Sequence, residues 1–86
     1  MPTVLRSGGY RVYFYSHDCR EPPHVHVDRG GCRAKIWLQP VAVAQNIGYA
    51  SHELSEIARV IVDRRDAILE IWHEHCRGAS APGPRR

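Results

Sequence analysis

Residues 23–39, Pro-His-Val-His-Val-Asp-Arg-Gly-Gly-Cys-Arg-Ala-Lys-Ile-Trp-Leu-Gln, decide the fold. Two runs that alternate apolar and polar residues flank Gly30-Gly31, the signature of a tight two-residue hairpin. Counting outward from those glycines predicts the register: Arg29 faces Cys32, Asp28 faces Arg33, Val27 faces Ala34, His26 faces Lys35, Val25 faces Ile36 and His24 faces Trp37. Both strands then agree on an inner face, with Val25, Val27, Ala34, Ile36 and Leu38 in the core. His24, His26, Asp28, Arg33, Lys35 and Trp37 share the opposite face.

Upstream, residues 3–6 read as a short strand, Ser7-Gly8-Gly9 as a turn and 10–15 as an aromatic-rich second strand. In that strand Tyr10, Val12 and Phe14 form the better core set, which sends Arg11, Tyr13 and Tyr15 to the polar face. Ser16 to Pro22 is a loop, and Pro22 at its end with Pro23 at the start of the next strand holds the entry to the His-x-His pair extended. Pro40 ends the fourth strand because it cannot donate to a ladder. Residues 41–50 are ambiguous between a short edge strand and a turn at Asn46-Ile47-Gly48. From Ser51 the period changes from 2 to 3.6. Leu54, Ile57, Ala58, Ile61, Ile68, Leu69 and Trp72 fall on one stripe of a single helix running to about Arg77, with Ser51 as its N-cap. Residues 78–86 lack periodicity and read as a disordered tail.

The expectation is one α+β domain over residues 1–77, a three- to four-stranded antiparallel sheet with one long C-terminal helix packed on one face. Eighty-six residues allow only a small core and no large cofactor cleft. A net charge of +3 permits an anionic partner without demanding one. No apolar run approaches the roughly 20 residues that span a bilayer, and no export signal is evident, so a soluble, cytoplasmic protein without membrane association is expected. Cys19, Cys32 and Cys76 are odd in number and lack CxxC spacing, which points to free, reduced thiols.

The polar face carries the chemistry. Lys35 opposite His26 disfavours the imidazolium, and Trp37 opposite His24 should stack on that ring. General acid/base cleavage of a phosphodiester needs a base, an acid and cations on the phosphate. His24 and His26 are the catalytic candidates, with Glu21 to orient a histidine. Arg6, Arg11 and Lys35 are candidates for phosphate, and Tyr15 and Trp37 are flat rings on which bases of a single-stranded RNA can stack. His-x-His on a strand can also share a metal ion, with His17, Asp18, Cys19 or Glu21 completing the set. Lys35 beside the pair opposes a cation, so the leading scheme uses no metal and no cofactor. No serine has a nucleophile-elbow context, and neither glycine pair opens a helix as a phosphate loop does. Arg65 lies on the apolar stripe of the helix. It either snorkels past the sheet edge, forms a buried ion pair or reaches a substrate site at the sheet end.

Taken together, Pro2-x-Val4-x-Arg6-x-x-Gly9-Tyr10-Arg11, Phe14-Tyr15-Ser16, Glu21-Pro22-Pro23-His24-Val25-His26-Val27, Ala34-Lys35-x-Trp37-Leu38 and the Glu53-Leu54 to Trp72 helix resemble a small bacterial domain-of-unknown-function family. Its members include DhiT-like toxins of type II toxin–antitoxin systems. The resemblance covers about residues 2–76 and includes Arg65. It implies a growth-inhibiting toxin and a small antitoxin-like protein partner encoded beside it, but no particular reaction. The function expected is therefore a toxin acting on RNA, as a metal-independent ribonuclease. Two alternatives stand beside it: a non-catalytic interaction module that binds its partner by β-augmentation or stacking, and a small metal-binding protein. A homodimer is compatible with either.

Overall fold

The computed structural model describes residues 3–79. Five strands, β1 (Thr3–Ser7), β2 (Tyr10–Tyr13), β3 (His24–Arg29), β4 (Cys32–Leu38) and β5 (Val41–Ile47), form one antiparallel sheet in sequential order. A short 3-10 turn, Ser16–Arg20, interrupts the meander between β2 and β3, and two helices follow, α1 (Ser51–Asp63) and α2 (Arg65–Ala79). The disordered tail expected over 78–86 falls largely outside the described residues.

The hairpin register holds at all six predicted pairs, from Arg29 opposite Cys32 to His24 opposite Trp37. Gly30 supplies the turn's positive φ of 60°, a conformation that side-chain-bearing residues rarely adopt. Alternation then does the rest. Val25, Val27, Ala34, Ile36 and Leu38 are all buried, and so are Tyr10, Val12 and Phe14 of the preceding strand and its extension. The helices close this face with Ile57, Ile61, Ile68, Leu69 and Trp72.

The structure corrects four expectations. The ambiguous segment is a full fifth strand, paired with β4 from Leu38–Val41 to Arg33–Ile47 across a bulge near Ile36. Its sequence, Val-Ala-Val-Ala-Gln-Asn-Ile, lacks the clean alternation that marks a half-buried strand, because as an outer strand it is exposed along most of its length. The single helix is two, separated at Arg64 (φ −109°, ψ 12°), whose amide still bonds Val60 O and Ile61 O. Neither proline nor glycine marks that break, so the uninterrupted 3.6 period conceals it. The N-cap is Ala50, not Ser51. Its N–H is held by Glu53 Oε1 at 2.8 Å, the carboxylate half of a capping box.

The fourth correction concerns cysteine. Cys19 and Cys76 form a disulfide across 57 residues, leaving Cys32 as the free thiol. An odd count excludes a fully paired framework but not one bridge. The pairing follows from the packing of the 3-10 turn against α2, which spacing along the chain cannot reveal.

Candidate functional site

The polar face of the sheet is built in rows, because directly opposed residues on adjacent strands project to the same side. One row runs Arg6, Arg11, Asp28 and Arg33 across β1 to β4; the next runs Tyr13, His26 and Lys35, and the third pairs His24 with Trp37. The sequence-derived face is thus assembled largely as expected, but it is not uniformly solvated. Tyr13 is 1% exposed and His24 0% exposed. Tyr13 lies beneath Arg11, whose guanidinium carbon is 4.5 Å from its ring centroid, and beside the stacked ring of His26. Its hydroxyl donates to Asp28 at 3.1 Å. Burial, then the bonds to Tyr15 and Asp28, push the phenol well above its ordinary value.

His24 is enclosed because the face is covered at that end. Trp72 reaches it at 5.4 Å between ring centroids, Trp37 at 5.5 Å and His26 at 5.2 Å, and the 3-10 turn brings Asp18 alongside. Trp37 meets His24 nearly edge-on, at 83°, rather than in the expected stack. The Nδ1 of His24 lies 3.0 Å from Pro22 O, an acceptor only, so Nδ1 carries the proton and donates it. Its Nε2 is buried and has no hydrogen-bond partner.

Asp18 organises the cluster. Its Oδ2 lies 3.0 Å from His26 Nε2 and 3.3 Å from His24 Nε2, and it accepts the Tyr15 N–H at 2.8 Å. Burial works to raise the Asp18 pKa. The Tyr15 amide and the two histidines outweigh that and hold it below the usual carboxylate value. For His26 the balance runs the other way: burial lowers its pKa and prevails over the attraction of Asp18, with Lys35 adding a small push in the same direction. The expected effect of Lys35 is present but minor, since its ammonium is drawn away to Glu21 Oε1 at 2.7 Å and over the Trp37 ring at 4.7 Å. That ion pair lowers the Glu21 pKa.

The candidates therefore divide. His24, His26, Tyr15, Lys35, Trp37 and Glu21 come together around Asp18, while Arg6 and Arg11 extend the same face along the next row. Glu21 stands 3.7 Å from His24 Nδ1, but Pro22 O is the atom that orients the ring. Arg65 belongs elsewhere. Its Nε donates to Leu38 O at 2.7 Å, tying the start of α2 to the end of β4. Asp18, one of several acidic or thiol groups in the loop, proves to be the central residue. The loop's local sequence does not distinguish it from Glu21, and the side chain of His17 lies outside what is described. Two free imidazoles at one phosphodiester are not what this geometry offers, because only His26 keeps a solvent-facing edge, with 16% of its side chain exposed.

Among the described residues, no helix is long and apolar enough to cross a membrane. No curated protein and no solved structure matches the chain. A family model described as a domain of unknown function, DUF4160, matches residues 9–73, which span the hairpin, the histidine pair and both helices through Trp72. On that match, over most of its length, the chain belongs to the DUF4160 family.

Proposed function

We propose that this protein acts on RNA in the cytoplasm, as the toxin of a two-component toxin–antitoxin pair, with cleavage centred on His26. The observation that carries the reading is the row Arg6–Arg11–Asp28–Arg33, three cations and one carboxylate on the surface next to the histidine cluster. A single strand running across it finds guanidinium groups for its phosphates. Tyr15, 5.2 Å from His26, and the partly exposed Trp37 ring provide flat surfaces for bases. Lys35 joins the phosphate contacts by exchanging the half-exposed Glu21 carboxylate for a substrate oxygen.

Purified protein is expected to cleave single-stranded RNA, and His26→Ala to slow cleavage by about 100-fold or more. Replacing Arg6, Arg11 and Arg33 together by alanine should make the salt dependence of RNA binding shallower by roughly 2 in log–log slope, at about 0.7 per phosphate contact. An unchanged slope would remove the row from the binding surface, and unaltered cleavage by His26→Ala would remove the assignment.

A second reading, partner capture by strand addition, is favoured by β5. This outer strand carries no charged residue, and Val43 and Ile47 are 44% and 54% exposed. Edge strands are commonly guarded by lysine, proline or a charge turned inward, and an unguarded one is a template for a further strand. Val43→Lys combined with Ile47→Lys should abolish binding of the small antitoxin-like protein encoded beside it while sparing RNA cleavage. Retained binding in that variant excludes β5 as the docking edge.

A further inference from the structure

His24 presents a problem that the RNA reading does not solve. A buried imidazole nitrogen without a hydrogen-bond partner is destabilising, because it has given up water and gained nothing in exchange, and Nε2 of His24 is such an atom. Its neighbour Asp18 Oδ2 is 3.3 Å away, yet the two are not aligned for a hydrogen bond. Pro22 O holds the proton on Nδ1, which leaves the Nε2 lone pair turned into the cluster. Fixing one ring nitrogen on a backbone carbonyl so that the other offers its lone pair is how proteins prepare a histidine for a metal.

The spacing agrees. Donor atoms held about 2.0–2.1 Å from a tetrahedral ion lie roughly 3.3 Å from one another. Asp18 Oδ2 stands 3.3 Å from His24 Nε2 and 3.0 Å from His26 Nε2, and one ligand atom from each of the three residues lies within 4.8 Å of the others. The sequence-level objection to a cation was Lys35. In the folded chain its ammonium is paired with Glu21 at 2.7 Å, so its charge is compensated by that carboxylate. The support is also firm: the Tyr15 N–H holds the Asp18 carboxylate, and the disulfide anchors the residue next to it.

We propose that Asp18, His24 and His26 bind one divalent transition ion of the zinc class through two imidazole nitrogens and a carboxylate oxygen. Two imidazoles disfavour magnesium and calcium, which take oxygen donors. Three protein ligands leave a coordination position for water or substrate, as catalytic rather than structural zinc sites do. That position lies on the side where the Asp18 and His26 side chains keep 10% and 16% exposure, against 1% for His24. The ion deepens the RNA reading by placing a Lewis acid beside the cationic row; its uptake rests on the cluster alone.

The test is calorimetric titration of Zn²⁺ into the full chain after EDTA treatment, with the disulfide intact, and the visible spectrum of the Co²⁺ form as a readout of coordination. One ion per chain is expected. Asp18→Asn and His26→Gln should each weaken binding at least about 10-fold, with the fold checked by circular dichroism. These two variants bear the test, since the wholly buried His24 is the replacement most prone to unfold the chain. A His52→Gln/His73→Gln control, which removes exposed histidines, should bind as the parent does. Absence of stoichiometric uptake, loss of binding in the control, or full affinity in Asp18→Asn/His26→Gln would overturn the proposal. Zinc uptake without RNA cleavage sustains the ion site and overturns the RNA reading; cleavage by the zinc-free chain in EDTA sustains the RNA reading and removes the ion from its chemistry.

Discussion

Trp72→Ala is expected to destabilise the protein by about 3–5 kcal/mol, the range for deleting a large aromatic from a packed core. Trp72 is 3% exposed and joins two parts of the molecule. Its ring meets Phe14 at 5.0 Å between centroids, the core side of the contact, and His24 at 5.4 Å, the site side. The alanine variant would therefore lose apolar burial and also expose the ring that Trp72 covers. For a domain of this size, total stability is on the order of 4–13 kcal/mol, so the loss is a large fraction of what holds the chain folded. Urea unfolding followed by far-UV circular dichroism gives the measurement. Trp72→Phe should recover much of the loss, because an aromatic ring still fills most of the space. A midpoint within experimental error of the parent for Trp72→Ala would show that α2 does not seal this end of the sheet.

How much of this was legible in the sequence depends on the range of the interaction. The β3–β4 register could be counted from Gly30-Gly31 because a two-residue loop leaves the chain no freedom to slip, and the alternation of Val25, Val27, Ala34 and Ile36 confirmed which face is inside. The apolar stripe of the helices was equally plain, since Ile57, Ile61, Ile68, Leu69 and Trp72 recur at a local period. Alternation failed for His24. A polar residue on the outer face of a strand is read as solvated, but here the 3-10 turn and Trp72 fold over the end of the sheet, and no pattern within the strand announces that cover. Arg65 shows the converse: its place on the apolar stripe was visible, while its use, a bond to Leu38 O, required a partner 27 residues away. Asp18 joined the histidines for the same reason. Its position is set by a tertiary contact between the turn and α2 and not by any spacing from His24.

Opening the Cys19–Cys76 bridge should cost about 4 kcal/mol, the loop-entropy value for a closed segment of 57 residues. Its effect on the site should exceed that of an equally destabilising change elsewhere in the core, because Cys19 adjoins Asp18 in a turn of only five residues, Ser16–Arg20. With the bridge closed, the turn is pinned to α2 and the carboxylate is delivered to both imidazoles. With it open, Asp18 loses that anchor and is held by contacts such as the Tyr15 amide, His26 and the packing of the turn, the hydrogen bonds among them individually worth about 1–3 kcal/mol. A Cys19→Ser/Cys76→Ser variant should thus unfold at a urea concentration lower by about 2 M or more, for a slope of 1–2 kcal/mol per molar. Reductant should shift the parent protein to the same midpoint and leave the variant unmoved. Zn²⁺ affinity, read under conditions where both proteins remain folded, should fall in the variant but hold in a Gly48→Ala protein, whose strain lies at the far end of β5. There Gly48 has φ 95° and an added Cβ would stand 2.9 Å from Cys32 Sγ. Equal loss of affinity in the two would mean that the bridge acts through global stability; a selective loss would mean that it fixes the Asp18 ligand.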